Sequence, residues 1–273
     1  MRPLRALMLT SIACGACLAA AGCGDPDPAP ELRADAAPAL RAESDARPRW
    51  VHRYVLTSLE HYRQEDDRWV PESEVPRKRV TTKGMVIWEV SEYPQGTVPT
   101  ADQLAAADDL VERCYAVALR HGWHEYERGL ADGYRRVDAY HYRKDEFMLD
   151  DHVLNPERPE VLMYYPTEPD GKQRLAGFMF YARDRKARGP QIGGPRTIWH
   201  WHHWLRPQCV VNGLAVGWSV NGKCKKGEPS QYSGEMMHVW LIEHPEGAFA
   251  SAMYVSNDVL MRGLERRLEE RGF

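Results

Sequence analysis

From residue 161 onward the chain alternates short apolar runs with turn residues, which predicts strands rather than long helices. Val161–Tyr165 and Leu175–Tyr181 are joined through Pro169, Asp170 and Gly171, a hairpin signal. Thr197–Leu205, Leu214–Val220 and Met236–Ile242 supply three more strand-length runs. Earlier, Arg53–Leu56 and Gly84–Val90 read as extended pieces separated by a charged, Pro-containing stretch. Helical spacing is clearest over Ala101–Arg120, where Leu104, Leu110, Val111, Cys114, Val117 and Ala118 form one stripe. Thr100 caps that helix and His121-Gly122 stops it. A weaker helical segment spans Trp123–Leu130. A terminal one over 257–270 aligns Val259, Leu260, Leu264 and Leu268. No internal repeat is present. Strands with flanking helices predict an α+β fold around a mainly antiparallel core, as a small barrel or sandwich.

The N-terminus breaks this pattern. Met1–Arg5 is short and basic, and Ala6–Ala21 is small and apolar, the form of an export signal too short to span a membrane as a mature helix. Ala19-Ala20-Ala21-Gly22-Cys23 resembles the lipobox of bacterial lipoproteins, with Ala20 where leucine is more usual. That resemblance implies cleavage after residue 22, lipid attachment at Cys23 and a membrane-tethered address in the cell envelope, facing the periplasm or the exterior. Gly24, in place of a retention aspartate, allows the outer membrane. A plain secretory signal is the alternative, and it too exports the chain. Residues 23–49 are rich in Pro, Ala, Asp and Arg without apolar periodicity, which predicts a disordered tether. Residues 50–273 are then expected to form one globular domain.

The 273 residues, 43% apolar with net charge -3, have ordinary globular composition and lack the basic field that nucleic acid requires. The 183–188 charge run reads as a solvated loop. Cys14 and Cys17 leave with the signal and Cys23 is taken by the lipid, so the domain itself holds Cys114, Cys209 and Cys224. Outside the cytoplasm Cys209 and Cys224 are the expected disulfide, and their loop of about 15 residues stabilises by roughly 3 kcal/mol. A functional thiolate pair is the alternative. Cys114, on the helical stripe, is expected to be a buried free thiol.

The chemistry concentrates in Trp199-His200-Trp201-His202-His203-Trp204 and Met236-Met237-His238-Val239-Trp240. On a strand, His200 and His202 project from one face about 7 Å apart, with His203 on the other. Neutral imidazole is the commonest metal ligand, so the pair suggests the wall of a metal pocket. His238, within an apolar strand, is the third candidate ligand and His141 the fourth. Glu235 and His244 are poorer choices. The implied cofactor is a divalent transition metal: zinc, copper or iron. Met236 and Met237 are either soft donors that favour copper or core filling on opposite faces. The competing explanations are a core histidine at 238 and an aromatic surface strand at 199–204. His52, His61, His121, His124 and His152 lie among polar neighbours and read as solvated, as do Asp150 and Asp151. No nucleophile elbow, phosphate loop or zinc-protease helix is present.

Gly194, five residues, then His200-Trp201-His202, with a later histidine at 238, resembles the cupin superfamily, which implies a small β-barrel around a divalent metal. Leu205-Arg206-Pro207 stands where a cupin carries a glutamate. More specifically, the stretch from about 141 to 249, with Trp-His-x-His, two cysteines, Met-x-His-Val-Trp and His244-Pro245-Glu246-Gly247, resembles a group of uncharacterised exported bacterial lipoproteins. Together these features predict a lipid-anchored domain outside the cytoplasm with a metal site within residues 133–250. They leave open whether it is an enzyme with a small-molecule ligand or a non-catalytic metal carrier, sensor or protein-interaction module.

Overall fold

A computed structural model describes residues 50–58, 62–71, 84–94, 96–182, 187–211 and 213–262. The leader at 1–22, Cys23 and the tether at 23–49 lie outside the described residues, as does the end of the expected C-terminal helix; that helix is present over 257–262. Among the described residues no helix is long and apolar enough to cross a membrane.

Among the described residues eleven strands form one antiparallel sheet: β1 (Trp50–Ser58), β2 (Tyr62–Pro71), β3 (Gly84–Ser91), β4 (Arg135–Arg136), β5 (His141–Arg143), β6 (Val161–Pro166), β7 (Gln173–Tyr181), β8 (Trp199–Val211), β9 (Leu214–Trp218), β10 (Glu228–Tyr232) and β11 (Met236–Trp240). Their order is β2-β1-β3-β8-β11-β7-β6-β5-β4, with β9 and β10 both paired to β8. The fold is therefore α+β with a mainly antiparallel core, as the pattern predicts. The expectation of a barrel is corrected: the sheet is open. Among the described residues its ends are β2, whose sequence is dense in charge, and β4, whose two arginines are exposed.

Among the described residues the sheet is interrupted by α1 (Ala101–Arg120), α2 (Tyr126–Ala131), α3 (Asp145–Met148) and a 3-10 turn (Gly194–Arg196). Thr100 and Gln103 close a capping box at the start of α1, and its buried residues include Leu110, Val111, Cys114, Val117 and Ala118, the expected stripe. The helical segment expected over 123–130 starts only at Tyr126, because Trp123 is used to fill the core, where it meets Phe178 edge-on. The charged stretch after β1 contains β2, which period-two apolar patterning does not reveal. Strand β8 continues past Pro207, at a register irregularity where its partners change from β3 and β11 to β9 and β10. Cys209 and Cys224 are joined in a disulfide, and Cys114 is free and buried.

The sheet has two unlike faces. On one, Leu162, Tyr164, Phe178 and Phe180 pack beneath α1 and α2, with the Tyr164 hydroxyl donating to the Trp123 carbonyl at 2.7 Å. The other lies under the segment following β11. There the Ala250 carbonyl accepts from the Trp240 indole at 2.8 Å, and Tyr165 donates to the Met253 carbonyl at 2.7 Å. Gly177 of β7 belongs to this second face and is paired with Trp240. A Cβ there would stand 2.7 Å from the Met163 methyl and closer still to the Val239 carbonyl, so the spacing between β7 and β11 depends on its absence. Gly177→Ala is expected to cost about 1–3 kcal/mol through overpacking. A urea midpoint equal to that of the parent contradicts this packing.

Candidate metal centre

Strand alternation and register carry four histidines to the second face. Glu89 of β3 pairs with His200 of β8, Ile87 with His202, and Met236 of β11 with His200, so these side chains share a face. His238 follows Met236 by two residues and pairs with Met179 of β7. Two strands further on, His141 of β5 pairs with Met163 of β6, which is paired with Gly177. The histidines expected from sequence are thus brought together from three strands.

The ring centres of His200 and His238 are 4.6 Å apart, those of His200 and His202 5.5 Å, and those of His141 and His238 6.1 Å. Nitrogens held about 2.0–2.1 Å from a zinc ion place ring centres about 3.2 Å from it, and so about 5 Å from each other at tetrahedral angles. The observed separations bracket that value. The rings converge without closing on a point: among the described residues, no group of three or more His, Cys, Asp or Glu is placed to hold an ion.

Hydrogen bonds fix the outer two rings. In the turn before β5 the Asp138 carboxylate accepts the amides of Tyr140 and His141, each at 2.9 Å, and the Nδ1–H of His141 at 2.8 Å. His238 donates its Nδ1–H to the Ala250 carbonyl at 3.1 Å. The Ala250 bond leaves Nε2 of His238 as its lone-pair nitrogen, and the Asp138 bond occupies Nδ1 of His141 so that Nε2 is the nitrogen left for a metal, the usual support for a histidine ligand. The Nε2 of His141 is buried without a partner. His200 is 0% exposed, and both of its ring nitrogens are buried without partners. A buried polar group without a hydrogen bond costs about 1–3 kcal/mol, a cost to which both ring nitrogens of His200 are open.

Burial, reinforced by neighbouring His238, His202 and His141, pushes His200 well below the ordinary histidine range. Burial and His141 do the same to His238, against the opposing hydrogen bond to Ala250. His202 is pushed down to about 3 by burial and His141, although Asp138 opposes this. Burial resists ionisation of Asp138, yet the charge and hydrogen bond of His141 with the two backbone amides hold its carboxyl well below the usual range.

His203 projects to the opposite face against Tyr232, with ring centres 4.5 Å apart, as strand parity requires. Glu235 is not placed with the four rings, because its carboxylate accepts the Gly189 amide at 3.0 Å. His244 stacks near Trp240 and accepts the Glu246 amide through Nδ1 at 3.1 Å. His121 is beside Glu157 at the surface and His152 is exposed, both as expected; His61 lies outside the described residues. Asp150, expected to be solvated, instead accepts from Arg158 at 2.7 Å. Two residues on this face escaped sequence reasoning. Asp138 precedes His141 by three, an Asx-turn spacing that reveals it in retrospect. Glu89 is a buried carboxylate in an apolar run and accepts the Ser251 hydroxyl.

Comparisons of the chain with protein-family models, with curated proteins and with solved structures each found no match.

Since the folded-state values of His200, His202, His203 and His238 lie below that of an unfolded histidine, the unfolded chain binds more protons as pH falls beneath about 6.5. Stability therefore rises with pH up to that point and levels off above it. Metal-free protein is expected to show a urea midpoint that falls between about pH 7 and 5, while most carboxylates stay ionised. Equal midpoints at both ends rule out burial of these rings as neutral imidazoles.

Proposed function

We propose that the chain is a lipid-anchored domain of the bacterial cell envelope that holds one divalent transition metal through His200, His202, His238 and His141. The observation that carries this reading is His200: fully buried, bonded through neither ring nitrogen, and flanked by His202 and His238 at ligand-like ring separations. A metal ion compensates such a group more fully than a core position does, and small ring rotations about the side-chain torsions close the remaining distance. His141 and His238 enter with Nε2 free because Asp138 and Ala250 occupy Nδ1.

A shell filled by protein donors is the arrangement of sites that hold a metal rather than open it to substrate. The domain is thus read as a metal-holding envelope protein, with carriage or sensing as its role. The cupin-like Gly-x5-His-x-His spacing supports metal binding but not the barrel that usually accompanies it. The lipobox at Ala19–Cys23 supports the envelope address and the membrane as partner through a lipid at Cys23. The near-neutral charge argues against nucleic acid.

The full chain, purified without chelators and supplemented with zinc, copper or iron, is expected to retain about one ion per chain by elemental analysis. His200→Ala combined with His202→Ala is expected to abolish that retention while near-ultraviolet circular dichroism persists. In the same cells the parent is expected in the membrane fraction and Cys23→Ser in the soluble envelope fraction. A parent protein that retains no ion after supplementation refutes the metal reading, and one that leaves the membrane fraction without mutation refutes the anchor.

A further inference from the structure

The side chains that pair with the histidines point to the metal's identity. His141 pairs with Met163, His238 with Met179 and His200 with Met236. Directly paired residues share a face with Cβ atoms about 4.5–5.5 Å apart. All three methionines are buried, at 0%, 3% and 1% exposure. The Met163 methyl lies over the notch left by Gly177 of β7, the residue paired with Trp240 of β11. Met237 points the opposite way and pairs with Phe180 on the helix side, where aromatic and aliphatic residues otherwise fill the core. Within β6, β7 and β11, methionine thus occurs three times on the histidine face and once on the other.

Resting on the histidine site proposed above, whose ion it revises from a divalent one, we infer that this site selects cuprous copper, held by imidazole nitrogens from the cluster together with thioether sulfur drawn from among Met163, Met179 and Met236. Thioethers are soft donors, suited to Cu(I), whereas imidazole alone serves zinc, iron and copper alike. A leucine in each methionine position would fill the same space in an ordinary core; a sulfur beside every histidine strand supplies what leucine lacks.

The test compares two ions on one protein. The full chain is titrated anaerobically with Cu(I) and separately with Zn(II), against chromophoric chelators, for the parent and for the combined Met163→Leu, Met179→Leu and Met236→Leu variant. The variant is expected to lose at least about tenfold in Cu(I) affinity and less than about twofold in Zn(II) affinity. Selenomethionine-labelled parent protein keeps every side chain and requires no variant to fold. Loaded with Cu(I), it is expected to give copper–selenium scattering at the selenium absorption edge. Bound Cu(I) without such scattering, or equal loss of both metals in a folded variant, overturns copper selection. If zinc still binds in these cases, the histidine site survives and only the choice of metal fails; if the parent binds neither ion, the metal reading fails with it.

Discussion

The site depends on register among β5, β6, β7, β11 and β8. Because side chains alternate along a strand, a slip of one residue in β8 would carry His200 and His202 beneath the helices and bring Trp201 and His203 to the other face. Pairing of Met236 with His200 and of Met179 with His238 holds the rows in place. Those pairings are secured by the helix-facing side, where Phe178, Phe180, Met237 and Val239 are almost wholly buried. One face thus supplies the apolar burial that fixes the sheet, and the other can carry polar groups that a core normally avoids.

This division also accounts for the electrostatics. Four imidazoles close to one another in a buried layer cannot all be charged, so burial and mutual repulsion keep His200, His202 and His238 neutral, the form in which histidine binds metals. Asp138 sits at the margin, half exposed, where both of its carboxylate oxygens lie against His141 Nδ1 and orient that ring. Support for His238 comes from backbone instead, since the Ala250 carbonyl accepts from both His238 and Trp240. The segment after β11 therefore covers the histidines and fixes one of them.

Much of this was legible in the sequence because it depends on short periods. The α1 stripe, the β6–β7 hairpin, the His200/His202 parity and the Cys209–Cys224 bond all follow from spacing within a few residues or from compartment chemistry. The meeting of His141 with His238 was only a weak expectation, because it depends on two intervening strands and on the room that Gly177 leaves. Strand β2 was hidden by its charge, and the open sheet by the absence of any local signal for closure. Glu89 was concealed for a different reason: a single acid in an apolar strand reads as an interruption until register places it beside His200.

The central claim is that His141 and His238 present Nε2, and His200 a free nitrogen, to one common ion. Long-range proton–nitrogen correlation spectra of the histidine rings, recorded before and after zinc addition, test it most directly. The account predicts an Nδ1–H tautomer for His238 in the metal-free protein, and coordination shifts on Nε2 of His141 and His238, together with one ring nitrogen of His200, at one equivalent of zinc. Spectra in which the His200 ring is unchanged by a bound ion would contradict it.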